Sequence, residues 1–377
     1  MKYKILAGLI ATMASAGALA QTSVTIYGVI DTTIRYTTNQ VGANGTLGSQ
    51  TALTEGAFQG PRIGFKGEED LGGGTSAVFK LENGFQSNNG AFDQQGQLFG
   101  RQEFIGLKDK SLGELDAGRQ YGVAFDLLGN YDPLGVGNFN ENEWEAFIYG
   151  IRFDNSLKYT GTWGPVSAEF QYSMGGQTGS SSSGTTIGGS LAYTDGPFSI
   201  GGVYQQSDAA NNPGGGTPQL TVAGIAGSFV AGPATMYLQY FEAKRDAGYA
   251  KAASNSGGPL ANTSTFAGNS FASGLTRKDD MWTAGVLWQA APGWELTFGY
   301  MYDSIKNDGS ASDGKISTAY AIADYHLSKR TDVYFDLDRT SLGGAEVAAN
   351  SVMGFAGVPL GGASERNGAA LGLRVKF

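Results

Sequence analysis

Val24-Thr25-Ile26-Tyr27-Gly28-Val29-Ile30-Asp31-Thr32-Thr33-Ile34-Arg35-Tyr36 alternates from end to end. Val24, Ile26, Ile30, Ile34 and Tyr36 share one parity, and Thr25, Asp31, Thr33 and Arg35 share the other. Successive side chains of an extended chain point to opposite faces, so the stretch reads as a strand with one apolar face and one polar, charged face. The C-terminus repeats the pattern, with Leu371, Leu373, Val375 and Phe377 set against Gly372, Arg374 and Lys376. Alternation alone suits a soluble sandwich as well as a membrane barrel, so the spacing of the remaining strands has to decide.

Strands are expected near 24–36, 58–68, 74–85, 100–109, 113–121, 151–162, 165–174, 187–195, 197–206, 219–228, 233–243, 279–290, 294–304, 314–326, 330–340 and 366–377. Sixteen is an even number, as a closed antiparallel single-chain barrel requires. Short connections fall at Asp70 to Gly73, Asp109 to Leu112, Gly161 to Gly164, Asp195-Gly196, Phe229 to Gly232, Ala291-Pro292 and Leu327 to Lys329. They alternate strictly with long ones near 37–57, 86–99, 122–150, 175–186, 207–218, 244–278, 305–313 and 341–365. A barrel inserted from one side of a membrane has this asymmetry, with tight turns on one rim and long loops on the other. A sandwich or propeller has no reason to keep it along the whole chain.

Composition agrees. Glycine contributes 60 residues, tyrosine 18 and phenylalanine 21, against 10 prolines. Beyond the first twenty residues no apolar run reaches the length of about 18 that a membrane helix needs, so any crossing is by strands that are apolar on one face. Those first residues read as a signal peptide over 1–20, ahead of a barrel domain over 21–377. Met1-Lys2-Tyr3-Lys4 is a positive start, Ile5 to Ile10 opens an apolar stretch, and Ala18-Leu19-Ala20 is a small-x-small cleavage pattern. Removing Lys2 and Lys4 from 25 basic and 34 acidic residues leaves a charge of −11, which argues against nucleic acid as a partner. Cysteine is absent, so disulfides, thiolate catalysis and Cys-ligated metals are excluded.

The long connections are hydrophilic, as in Asn44-Gly45, Ser180 to Gly184 and Asn211 to Gly216. Aromatic residues gather near strand ends: Tyr27, Phe65, Tyr159, Trp163, Tyr240, Phe241, Trp282, Trp288, Trp294, Tyr300, Tyr302 and Phe377. Those on the apolar face suit the headgroup level of a bilayer; the others must line the lumen or pack on loops.

Several segments, taken in order, carry a family resemblance. Ser23-Val24-Thr25-Ile26-Tyr27-Gly28-Val29-Ile30-Asp31 resembles the first strand of the Gram-negative general porins, particularly the beta-proteobacterial branch. Arg62-Ile63-Gly64-Phe65-Lys66-Gly67-Glu68-Glu69-Asp70-Leu71-Gly72-Gly73-Gly74 resembles the second strand and its turn. Phe79 to Phe85, Phe104 to Leu107, Leu115 to Tyr121 and the terminal Gly372-Leu373-Arg374-Val375-Lys376-Phe377 continue the match. The resemblance implies an all-β, sixteen-stranded antiparallel transmembrane barrel in the outer membrane of a Gram-negative bacterium, in contact with lipid and lipopolysaccharide and assembled as a homotrimer. It also implies that the third long loop, 122–150, is folded into the lumen. The Pro-Glu-Phe-Gly tetrapeptide found at that loop's tip in enteric porins is missing here. The implied function is general diffusion of ions and small hydrophilic solutes through a water-filled pore.

Parity and the resemblance together nominate the pore residues. Porins carry a basic ladder from neighbouring strands, matched here to Arg35, Arg62, Arg119 and Arg152 and extended by Lys66 and Lys80. A bulge near Gly118 would turn Arg119 to the other face. The facing acids are expected on the 122–150 loop as Asp126, Asp132, Glu141, Glu143 and Glu145. Fixed opposite charges across a narrow passage replace part of a solute's hydration shell. The basic ladder leans toward small anions, whereas the net charge leans toward cations; the narrowest section dominates, so weak anion preference is expected.

Other chemistry finds little support. His326 is the sole histidine and stands beside a predicted rim turn, with Ser328 too close in sequence to form a lipase dyad, so no enzyme is expected. Gly72-Gly73-Gly74 and Gly214-Gly215-Gly216 lack the lysine and hydroxyl of a phosphate-binding loop. One histidine and no cysteine argue against a transition-metal site. No cofactor is expected beyond Ca²⁺ at loop carboxylates such as Asp279-Asp280 or Glu141 to Glu145. A substrate-selective channel using Tyr131, Phe139 and Trp144, and a surface adhesin or structural barrel, are the alternative functions.

Overall fold

The computed structural model describes residues 23–42, 45–137, 145–146, 148–210, 217–249, 274–308, 312–347 and 360–377. The expected signal peptide over 1–20, and Phe139, Glu141, Glu143 and Trp144, lie outside them. In chain order the strands are β1 (Ser23–Val41), β2 (Leu47–Glu55), β3 (Arg62–Gly72), β4 (Thr75–Gly84), β5 (Gln102–Asp109) and β6 (Gly113–Tyr121). A helix, α1 (Val123–Asn130), precedes β7 (Arg152–Trp163), β8 (Val166–Ser173), β9 (Thr186–Asp195), β10 (Phe198–Asp208) and β11 (Gln219–Ala231). The remainder are β12 (Ala234–Arg245), β13 (Arg277–Ala291), β14 (Trp294–Lys306), β15 (Gly314–His326), β16 (Thr331–Gly344) and β17 (Glu365–Lys376).

Every neighbouring pair is antiparallel, and β17 returns to β1 from Val29↔Lys376 to Thr37↔Gly368, which closes the sheet. Closure leaves no unpaired edge, the condition for a sheet in a bilayer. The seam is tied at its end by Phe377, whose amide and carbonyl exchange 3.0 Å hydrogen bonds with Gly28.

β2 and β3 make one stave. β3 pairs with β1 over Ser23 to Val29 and β2 over Thr32 to Val41, so the barrel has sixteen positions around its wall. This corrects the expected long loop over 37–57, most of which is a hydrogen-bonded hairpin. Ser49 and Thr51 stand between the exposed Leu47 and Leu53 on its outer parity and interrupt the apolar pattern, which hid the strand. The interruption between β2 and β3 is organised by Asp31, whose Oδ2 accepts the amides of Phe58 (3.2 Å) and Gln59 (3.0 Å). A Cβ on Gly56 would fall 1.8 Å from Asp31 Oδ1, so only glycine admits this approach. The other strand boundaries differ from the sequence reading by a few residues, and the bulge at Gly118 (φ +139°) is present as a register shift before Gln120.

Alternation sorts side chains as expected. On β1, Val24 and Ile34 are each 59% exposed, whereas Asp31 is 0% and Arg35 8% exposed. Leu191, Phe198, Leu238, Trp282, Tyr300, Leu337 and Leu371 continue the exposed apolar belt around the sheet. An apolar surface of this extent is stable only against hydrocarbon.

The opposite face is less uniform than alternation suggests. Towards β7 it is charged, but Val203, Val222, Phe241, Met281, Met301, Ile305, Ile316 and Ile322 are buried there with α1 in one hydrophobic cluster.

Candidate functional site

α1 explains that cluster. Val123, Ala124, Leu127 and Leu128 are buried, and Tyr131 follows one turn on, an apolar stripe at helical spacing. The stripe packs against β8–β11 on the face away from the exposed apolar belt. Gln239 Nε2 donates to Leu128 O (3.4 Å), Gln205 Nε2 to Tyr149 O (2.7 Å), and Tyr131 shares a 2.8 Å hydrogen bond with Ser199 Oγ. Close approach needs glycine in the wall: a Cβ on Gly201 would meet Leu127 Cδ1 at 2.7 Å, and one on Gly285 would meet Pro133 Cγ at 2.6 Å.

The other side of the helix, Phe125, Asp126, Gly129 and Asn130, borders a cavity of about 1150 Å³. Opposite lie Arg35, Arg62, Lys80, Arg101 and Arg152, with Arg366 and Lys376 also on the lining. Glu82 organises this wall. It accepts Tyr27 OH (2.7 Å) and Arg101 Nε (2.7 Å) and lies 3.7 Å from Lys80 Nζ. Arg101 also donates to Tyr121 OH (2.7 Å), and the Arg152 guanidinium stands 5.2 Å from the Tyr121 ring centroid. Arg35 pairs with Asp338 at 2.9 Å. Among the described residues no carboxylate comes within ion-pair distance of Arg62 or Arg152, so their charge is directed at the cavity.

Four of the six expected basic residues therefore line the cavity: Arg35, Arg62, Lys80 and Arg152. Arg119 does not. The bulge turns it toward Gly100 O (2.7 Å) and an ion pair with Asp154. Lys66 is exposed beside Tyr27, with its ammonium 5.6 Å from the ring. Three basic residues on the lining, Arg101, Arg366 and Lys376, lie outside the expected set. Arg366 shares its parity with Arg374 and was legible; Arg101 was not, because parity carried back from Ile105 points it outward, whereas β5 begins only at Gln102.

The acids divide similarly. Asp126 borders the cavity and pairs with Lys158, itself 3.4 Å from Glu169. Asp132 and Glu145 are turned away from it. Asp132 Oδ2 accepts the amides of Leu134 and Val136 (both 2.9 Å), and burial raises its carboxyl to about 6 against those hydrogen bonds. Glu145 sits under the loop against Thr283 Oγ1 (3.2 Å), and burial pushes it to about 8. Tyr131 is packed on the wall, so it cannot offer its ring to a solute.

Asp279-Asp280 does not make the Ca²⁺ site considered from sequence. Neighbours on a strand face opposite ways: Asp279 is bound by Arg277 at 2.7 Å, while Asp280 meets Lys278 at 3.0 Å and Tyr240 OH at 2.7 Å.

Comparison with known proteins gives one answer. The sequence profile of the Gram-negative porins matches residues 7–345. An outer membrane porin protein of Bordetella pertussis is 33% identical, over 89% of this chain and 93% of the relative. Outer membrane porin protein 32 of Delftia acidovorans is 32% identical, over 65% of this chain and 71% of the relative. Among solved structures, an anion-selective porin from Comamonas acidovorans superposes with a TM-score of 0.73 at 23% identity, covering 95% of this chain and all of that one.

Proposed function

This chain belongs to the Gram-negative porin family, and on that footing we propose that its passage is narrowed by the 122–150 segment and leans weakly toward anions. The protein is a general-diffusion porin of the outer membrane, crossing it many times as strands and letting ions and small solutes pass without catalysis. Short turns of such barrels face the periplasm and long loops the exterior.

The observation that carries the proposal is the charge around the cavity. Seven basic side chains, Arg35, Arg62, Lys80, Arg101, Arg152, Arg366 and Lys376, meet four acidic ones, Glu55, Glu82, Asp93 and Asp126. In a passage with low-dielectric walls, such an excess raises the local concentration of anions and replaces part of their hydration. Narrowing is supported by the amphipathic character of α1, with its apolar stripe held on the wall and its polar side on the cavity. The anion selectivity of the Comamonas acidovorans porin, which shares the fold, points the same way. Homotrimeric assembly and a cleaved leader over 1–20 belong to the same proposal, on the family resemblance.

Single-channel conductance in three salts tests it. Replacing chloride by acetate in potassium salts lowers conductance more than replacing potassium by lithium in chloride salts. The reverse order would contradict an anion preference.

A further inference from the structure

Near the short-turn rim, away from the cavity already described, three strands converge a second set of polar groups. Glu295 on β14 lies directly opposite Asp324 on β15, and His326 follows two residues later on the same face of β15. One ligand atom of each residue lies within 4.8 Å of the other two. That face is the inner one, since Thr297 and Ile322 on the same parities are buried while Phe298 and Tyr325 are exposed.

Two further features point to a ligand. Asp324 is 1% exposed, and its Oδ1 is buried without a hydrogen-bond partner, although Oδ2 lies 3.3 Å from Arg374 Nη2. A buried carboxylate oxygen is seldom left so, because its desolvation goes uncompensated. His326 in turn is held at Nδ1, which lies 3.8 Å from Asp324 Oδ2 and closer still to a second carboxylate. Asp332, its cross-strand partner on β16, lies 2.7 Å from Nδ1. A carboxylate in that place fixes the tautomer and orientation of a metal-binding imidazole and raises its basicity.

We propose that Glu295, Asp324 and His326 form a binding site for a divalent first-row transition ion of the zinc type at the short-turn mouth of the barrel. One imidazole nitrogen and two carboxylates suit such an ion, with water completing its shell. Calcium and magnesium fit less well, because they favour oxygen-only sets of six or more. Charge permits binding: Glu295, Asp324 and Asp332 outnumber Arg374 and Lys376, the two cations beside Asp332. His326 is about one-third exposed, which leaves an entry path from the mouth. In the sequence the lone histidine argues against a metal; the sheet brings Glu295 from the neighbouring strand to Asp324 and His326 on β15.

Titration of tag-free, detergent-folded protein with Zn²⁺ at neutral pH tests this, with Co²⁺ as a spectroscopic probe. The site predicts saturable one-to-one Zn²⁺ binding and visible Co²⁺ bands that Zn²⁺ abolishes. His326→Gln and Glu295→Gln, both at partly exposed positions, each weaken binding by about tenfold or more, and Asp332→Asn does so by about 10- to 100-fold. Heat-modifiable migration and circular dichroism establish that each variant is folded. Absence of saturable binding to the folded wild type overturns the site, as does unchanged affinity in folded His326→Gln and Glu295→Gln.

Discussion

Tyr334 on β16 donates its phenol to Asp31 on β1 at 2.6 Å, and the same oxygen accepts the amide of Ala57 at 2.7 Å. The two side chains are 303 residues apart in sequence and meet across the seam where β17 joins β1. Gly372 on β17 lies between them in the wall, and a Cβ there would fall 2.1 Å from Tyr334 Cζ. One buried carboxylate thus links β16 across the seam to the break between β2 and β3.

Tyr334→Phe removes the donor and leaves Asp31 and the Ala57 amide short of a partner. A loss of about 1–3 kcal/mol is expected, read as a lower midpoint in denaturant unfolding from detergent. Gly56→Ala is more damaging, because it obstructs Asp31 with a group that cannot move.

Gly201 and Gly285 provide the space for the 122–150 segment. Gly201→Val or Gly285→Val pushes α1 or Pro133 off the wall and toward the cavity, with a packing cost of about 1–3 kcal/mol. Single-channel conductance should fall in both variants, and equal conductance in folded protein would detach the helix from any narrowing role.

Glu145 makes docking of that segment sensitive to pH. Burial raises its carboxyl to about 8, against roughly 4.3 for an unfolded glutamate. Between those values the folded chain holds a proton that the unfolded chain has released, so stability falls as pH rises. Its contribution is complete below about 4.3 and is lost as pH passes through about 8. Thermal midpoints of wild type and Glu145→Gln should agree more closely at pH 5 and separate at pH 9, with the variant the more stable.

Glu82→Gln removes the negative charge that Lys80 and Arg101 share. Anion preference should rise, seen as a larger zero-current potential in a salt gradient. The same change leaves Arg101 without its carboxylate, and disruption of a buried pair costs about 3–5 kcal/mol.

Much of this architecture was readable before folding. Val24 to Tyr36 gave the two faces, and the alternation of short and long connections gave the barrel. β2 was hidden because Ser49 and Thr51 separate Leu47 from Leu53 on its outer parity, so the apolar alternation that marks a lipid-facing strand is broken. The inner apolar patch was hidden for a related reason. Phe241, Met281 and Ile316 break the polar parity of their strands, and they become sensible only once α1 covers them. Arg35, Arg62, Lys80 and Arg152 could be placed on the cavity lining from parity because they sit inside regular strands or at their ends. Asp132 and Glu145 were misjudged as facing acids because sequence does not show whether a loop carboxylate meets solvent or backbone amides. Arg119 needed the bulge at Gly118, and Arg101 needed the true start of β5.

Anion preference rests on the basic wall. Its direct test is the zero-current potential across a planar bilayer in a tenfold potassium chloride gradient, for wild type and for Arg35→Ala/Arg62→Ala/Arg152→Ala. The wild type should show an anion-favouring potential that moves toward the cation side in the triple variant, with open channels retained. An unchanged potential in folded, conducting triple variant would contradict the assignment of these arginines to the selective section.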